Sequence, residues 1–222
     1  MNTYKVVEKF ISINGEGLMA GYPACFIRLA GCNLNCSYCD TAWANRPDTV
    51  YRTETAEEIC DFVRESGITA VTLTGGEPLL APSVDELLRA LSAIEGVRVE
   101  IETNGSVDIS PFVDIGSNIC FTLDYKLKGS GMEKHMLTAN YEYLTKRDVV
   151  KFVCSDLTDL DRTREIAEEY GLYDKTNVLI STVFNKLDKR EVVDYLIRHK
   201  MNKARLQLQL HKYIWDPEKR GV

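Results

Sequence analysis

Short apolar runs separated by amphipathic segments fill most of the chain, and this alternation restricts the fold more than any other feature. The runs at 70–73, 97–101, 118–123, 148–153 and 177–182 have the length of buried strands. Segments 55–65, 83–94, 160–170 and 189–199 carry helical spacing, as in the Ile59, Phe62, Val63 set. Ser83 followed by Glu86 has the spacing of a capping box, so Ser83 is the expected N-cap of its helix. Two earlier runs, 4–13 and 24–30, precede the alternation, and a last strand is expected at 206–210. Strands alternating with helices specify a parallel α/β sheet. About six such units are too few for an eight-unit barrel. The expected fold class is therefore α/β, a partial open (β/α)6-type barrel with an N-terminal strand extension. Residues 1–222 show no repeat, low-complexity tract or linker, and are expected to form a single domain.

Composition narrows the function. The chain has 45% hydrophobic and 27% charged residues and a formal charge of −6, which suits a water-soluble domain. No dense Lys/Arg cluster offers a basic face, so nucleic acid is not an expected partner. No stretch reaches the roughly 18 apolar residues that span a bilayer, and residues 1–5 lack a signal-peptide pattern. The expected location is the cytoplasm, with no membrane partner.

Seven cysteines are present, an odd number, and three of them lie within eight positions. Cys25, Cys60, Cys120 and Cys154 are scattered through apolar segments, unlike a secreted disulfide framework. Cys32, Cys36 and Cys39 form a CxxxCxxC loop after an apolar run. Thiolates are the soft ligands that iron–sulfur clusters require. Three of them hold three irons of a 4Fe-4S cubane and leave the fourth open to a small ligand. A structural zinc site wants four ligands, and Asp40 or the distant histidines do not complete a standard spacing. Zinc or unligated thiols remain the alternatives at this point.

The loop, with Tyr38 just before its last cysteine, resembles the radical S-adenosylmethionine superfamily. Thr74-Gly75-Gly76-Glu77-Pro78 is similar to that superfamily's GGE motif, whose backbone meets the cofactor's methionine amino group. Glu102-Thr103-Asn104-Gly105 resembles the motif near the cofactor ribose. Each motif follows a predicted strand, which is where sites on α/β barrels assemble. Residues 10–17, the run 26–32 and Cys39-Asp40-Thr41 further resemble the 7-carboxy-7-deazaguanine synthase family along nearly the whole chain.

That resemblance implies a carbon–nitrogen lyase with a 4Fe-4S cluster, S-adenosyl-L-methionine and Mg²⁺. It would convert 6-carboxy-5,6,7,8-tetrahydropterin to 7-carboxy-7-deazaguanine, with loss of ammonia, for queuosine and other 7-deazapurines. It implies substrate contacts at Ile13, Asn14, Gly15, Arg28 and Thr74, and Mg²⁺ on Thr41. A guanidinium such as Arg28 suits a carboxylate, and Mg²⁺ accepts a hydroxyl among waters. Cofactor contacts are implied at Gly75, Gly76, Glu77, Glu102, Asn104, Asp124, Tyr125, Lys126 and Gln209, with His211 as a further candidate. Two departures stand out: many relatives have Gln at Asn14, and Ser-Pro-Lys where this chain has Asp124-Tyr125-Lys126. A flavodoxin- or ferredoxin-type reductant and a homodimer are the implied partners. Two other readings stay open: a glycyl-radical-enzyme activase acting on a protein, and a non-catalytic zinc or iron–sulfur protein.

Overall fold

The computed structural model describes residues 2–222. Nine strands form one sheet: β1 (Thr3–Ile13), β2 (Pro23–Leu29), β3 (Arg52–Thr55), β4 (Ala70–Gly75), β5 (Arg98–Thr103), β6 (Ile119–Tyr125), β7 (Val149–Cys154), β8 (Asn177–Thr182) and β9 (Ala204–Leu206). Their order is β3-β1-β2-β4-β5-β6-β7-β8-β9. From β2 to β9 every neighbouring pair is parallel. β1 runs antiparallel to both β2 and β3. The fold is the open, mostly parallel α/β sheet with an N-terminal extension that the alternation implies.

Helices α1 (Ala56–Ser66), α2 (Val84–Ser92), α3 (Leu157–Glu169), α4 (Leu172–Lys175) and α5 (Lys189–Arg198) supply the crossovers. Among the described residues no α-helix lies between β5 and β6 or between β6 and β7, where short 3-10 turns and loops carry the chain. A last short helix, α6 (His211–Ile214), follows β9.

The period-2 pattern of the strands divides them chemically. Val71, Leu73, Val99, Ile101, Phe121, Leu123, Val150 and Phe152 join Ile59 and Val63 of α1, Leu87 and Leu91 of α2 and Leu160 of α3 in one buried cluster. Each such side chain contributes roughly 1.5–3 kcal/mol when taken from water. The alternate positions are polar: Thr72, Thr74, Glu100, Thr122, Lys151 and Ser181 are all buried. The concave side of the sheet is thus a polar lumen enclosed by an apolar shell.

Three local expectations need correction. Ser83 is not a side-chain cap: it sits at φ 54° and makes no capping bond. Its carbonyl instead accepts from the Tyr4 hydroxyl at 2.8 Å, and Glu86 accepts from Asn2 at 2.9 Å. The working capping box is at α1, where Thr55 and Glu58 satisfy each other's backbone N–H groups. The final strand is Ala204–Leu206, earlier than expected, because residues 207–210 leave the sheet to meet the turn after β1. The short edge strand β3 carries no alternating apolar pattern in its Arg-Thr-Glu-Thr sequence and escapes a periodicity search.

Glu100 lies in the lumen at 5% exposure and accepts from the Thr122 hydroxyl at 2.5 Å. Burial, with repulsion from Glu102 added, pushes its carboxyl up to about 7. In the unfolded chain the same group loses its proton at ordinary carboxylate values, so between those values and pH 7 the folded state holds the extra proton. Stability therefore falls as pH rises through that window. Glu100→Gln removes the titration. The variant should exceed the parent at pH 8 by on the order of 2 kcal/mol in urea denaturation, with the gain shrinking at pH 5. An equal difference at both pH values would contradict the assignment. Thr55→Ala should lower stability by about 1 kcal/mol in the same assay through loss of the cap, and an unchanged midpoint would show that the box contributes nothing.

Candidate active site

The lumen is closed from one end by the turn that joins β1 to β2. Residues 14–22 form a tight loop, with Asn14 N–H donating to Tyr22 O at 2.8 Å and Gly21 N–H to Asn14 O at 2.7 Å. The loop reaches across the sheet. Asn14 Oδ1 accepts from Thr72 Oγ1 of β4 at 2.7 Å. Glu16 accepts from Lys151 Nζ of β7 at 3.3 Å and from Ser181 Oγ of β8 at 3.0 Å. Gly17, at φ 77°, presses on Glu100 of β5, where any Cβ would collide.

The segment after β9 clasps this floor. The Gln207 side chain accepts from Gly17 N–H and donates to Gly17 O, both at 2.9 Å. Leu210 N–H donates to Gly15 O at 3.1 Å, and Gln209 Nε2 donates to Glu16 at 3.3 Å. The His211 ring lies over Gly15, where a Cβ would overlap Nδ1.

The opposite rim is built from loops at the C-terminal ends of the parallel strands. The loop after β4 crosses the backbone just before Cys32. Gly76 N–H donates to Leu29 O at 3.1 Å and Glu77 N–H to Gly31 O at 2.8 Å. Cβ atoms at Gly75 and Gly76 would strike the backbone of Leu29 and Gly31, so the glycine pair is a requirement of this approach. Glu77, at 1% exposure, then ties the loop to the next one by accepting from Thr103 Oγ1 at 2.9 Å and Asn104 N–H at 2.6 Å. Asn104 Nδ2 donates to Asn33 Oδ1 at 3.0 Å and to Cys32 Sγ at 3.6 Å. Ser37 binds the turn after β6 through Gly129 O at 2.8 Å and Ser130 O at 3.0 Å. The Tyr38 hydroxyl donates to Val153 O at 3.2 Å.

Floor and rim enclose a cavity of about 780 Å³. It brings together Ile13, Asn14, Gly15, Arg28, Cys32, Cys36, Cys39, Thr41, Thr74, Gly75, Gly76, Glu102, Asn104, Asp124, Lys126, Gln209 and His211. Two of the expected residues lie elsewhere. Glu77 spends its carboxylate on the neighbouring loop, as above. Tyr125 is 3% exposed in the apolar shell, with its hydroxyl on Glu133 at 3.1 Å.

Glu16, Asp124, Lys126 and Lys151 of the cavity are paired with one another. Lys151 Nζ stands 3.3 Å from Glu16 and 3.7 Å from Asp124, and Lys126 Nζ is 2.7 Å from Asp124. Burial would raise the Glu16 carboxyl, yet Lys151 and the Gln209 amide hold it below its ordinary value. Burial would likewise lower Lys151, but Glu16 and Asp124 hold it well above. Arg28 donates through Nε to Glu8 at 2.8 Å, which fixes the guanidinium. Phe10 and Phe26 stack at 4.8 Å on the same wall. Among the described residues, three buried atoms of cavity-lining side chains lack partners: the donor Asn14 Nδ2 and the acceptors Asn45 Oδ1 and Asp124 Oδ1. Such groups cost about 1–3 kcal/mol unless a ligand satisfies them, so the cavity is shaped for a polar molecule.

Sequence reasoning missed Glu16 and Lys151 as site residues. Lys151 had a readable signal, a single lysine inside the apolar run Val149–Cys154. Trp43, Phe184 and residues 217–222 also line the cavity, and Arg220 stacks on Trp43 at 4.0 Å. Nothing in their spacing marked them.

Cys32, Cys36 and Cys39 are free, partly exposed thiols on one loop facing the cavity. They are the soft donor set that an iron–sulfur cluster needs. No three His, Cys, Asp or Glu side chains converge on a point among the described residues, so ligation itself would gather the thiols. Burial pushes the Cys36 thiol up, with Lys126 opposing it. The Thr41 hydroxyl makes no capping bond to the turn that follows it, and it lies 3.6 Å from Cys39 Sγ. It is available as a hard oxygen donor.

Comparison with known proteins agrees with this chemistry. A model of the radical SAM superfamily matches residues 26–124. The chain is 52% identical over 219 residues to the 7-carboxy-7-deazaguanine synthase of Clostridium acetobutylicum, covering 99% of both. It is 35% identical to that of Chlorobaculum tepidum, over 98% of this chain and 96% of the other. The crystal structure of QueE from Escherichia coli shares the fold, with a TM-score of 0.69 at 22% identity over 93% of this chain and 94% of that one. Identity of this extent along the full length means that the chain belongs to the 7-carboxy-7-deazaguanine synthase family of the radical SAM superfamily.

Proposed function

We propose that this protein converts 6-carboxy-5,6,7,8-tetrahydropterin to 7-carboxy-7-deazaguanine with loss of ammonia, supplying queuosine precursors. The observation that carries the reading is the meeting, in one cavity, of the three-cysteine loop, the glycine pair and Arg28. When bound, a 4Fe-4S cluster and S-adenosylmethionine supply one-electron cleavage of the sulfonium.

The protein's own residues then divide the labour. Cys32, Cys36 and Cys39 would hold the cluster. The backbone at Gly75 and Gly76, with Glu102, Asn104, Asp124, Lys126 and Gln209, would seat the cofactor. Arg28 meets Glu8 through Nε, and among the described residues Nη1 and Nη2 have no hydrogen-bond partner. Those nitrogens form the fork that receives a carboxylate. Ile13, Asn14, Gly15 and Thr74 would meet the pterin, with Phe10 and Phe26 beside it. Thr41 would give one oxygen to Mg²⁺ near the substrate carboxylate. The same reading takes a flavodoxin- or ferredoxin-type reductant and a homodimer as partners. The reading takes the cytoplasm as its location; no helix among the described residues is long and apolar enough to cross a membrane.

The direct test supplies reduced, reconstituted protein with S-adenosylmethionine and the pterin. 7-Carboxy-7-deazaguanine should form. Accumulation of 5′-deoxyadenosine without it would remove the substrate assignment and favour a protein-directed activase. Cys36→Ala should abolish cluster absorbance and turnover together, and retained absorbance would show that the ligands are misassigned. Thr41→Ala should weaken the response of turnover to added Mg²⁺, while an unaltered response would exclude Thr41 as its ligand.

A further inference from the structure

Asn14 is 3% exposed and lines the cavity, yet one end of its amide has no partner. The other end is fixed. Oδ1 accepts from the Thr72 hydroxyl at 2.7 Å, a contact between two side chains shielded from water. Thr72 itself is 0% exposed and does not line the cavity. It sits inside the lumen between Phe26 of β2 and Glu100 of β5, its partners in the sheet register.

An amide has a donor end and an acceptor end. Here the Thr72 hydroxyl donates to Oδ1, and Nδ2 is the end of this cavity-lining side chain left without a partner. We propose that Thr72 is a positioning residue: by holding Oδ1 it makes Asn14 present a hydrogen-bond donor, selecting a ligand edge that carries an acceptor at that point. On the pterin reading, which this inference deepens, the partner is the ring carbonyl oxygen or an unprotonated ring nitrogen. A buried donor without a partner is costly, and a ligand acceptor satisfies it. A ligand offering an N–H at the same point would leave two donors opposed, which is how a polar site rejects a near-analogue.

The Asn14 side chain brings its amide within reach of a hydroxyl on β4, 2.7 Å away. Thr72 supplies that hydroxyl from an otherwise apolar strand context, Val71 and Leu73 facing the shell on either side.

The test compares Thr72→Val, which keeps the shape and deletes the hydroxyl, with Thr72→Ser, which keeps the hydroxyl. Turnover of 6-carboxytetrahydropterin by the reconstituted holoenzyme is measured at varied substrate. Thr72→Val should raise KM about tenfold, the loss expected for one buried neutral hydrogen bond, with kcat within about threefold. Thr72→Ser should restore KM to within about twofold. Cleavage of S-adenosylmethionine in the absence of pterin should be equal in all three. An unchanged KM in Thr72→Val overturns the proposal, as does equal damage in Thr72→Ser, which would mark a packing role. Crystal structures of the parent and Thr72→Val holoenzymes decide the matter independently of the substrate. Asn14 should rotate off its position when the hydroxyl is lost, and an unmoved amide overturns the proposal even if the parent makes no 7-carboxy-7-deazaguanine. That last result alone would sink the substrate assignment and leave the pairing standing.

Discussion

A carboxylate taken out of water needs a cation, and the cation that Glu16 meets is Lys151, 3.3 Å away in the middle of the sheet. The rest of the site depends on this contact. It draws the turn after β1 into the lumen and gives the open sheet a floor. Buried ion pairs contribute little net stability, and removal of one partner is severely damaging. Their value here is positional. With Ser181 and Gln209 also donating to Glu16, both carboxylate oxygens are satisfied when the turn occupies this one place. Asp124 and Lys126 extend the pairing upward toward the cysteine loop.

The sheet serves two solvents at once. Its convex side packs leucines and valines against α1, α2 and α3, and its concave side offers threonines and charged groups to the cavity. Both faces are buried, so the strands read as nearly continuous apolar runs with isolated polar residues. The loops above are fastened to one another rather than to helices: Glu77 to Asn104, Asn104 to Asn33, Ser37 to Gly129. The three motifs that lie far apart in sequence become one rim through these bonds.

What could be read from the residues follows from this division. The parallel strands were visible because their runs are short, apolar and bounded by turn residues. The motif loops were visible because their chemistry requires particular residue types. Lys151 and Thr72 were overlooked because a polar residue inside a buried strand reads as tolerance until the lumen is known to be polar. Glu77 and Tyr125 were placed in the cavity on resemblance, while the fold turns both side chains away from it. Ser83 failed as a cap because its left-handed backbone and its carbonyl bond to Tyr4 set the start of α2 instead. β3 was hidden because an edge strand needs only its backbone. The clasp by Gln207 depends on contact between residues distant along the chain, and no local pattern encodes that.

The bond between Gly17 and Gln207 joins positions 190 apart. Closing so long a loop is slow, since chain entropy must be surrendered before the contact returns anything. A ribosome delivers Cys32, Cys36 and Cys39 long before Gln207. The floor of the chamber is consequently clasped only once residues 207–210 have been made: a polypeptide that stops short of them carries the three thiols without that clasp.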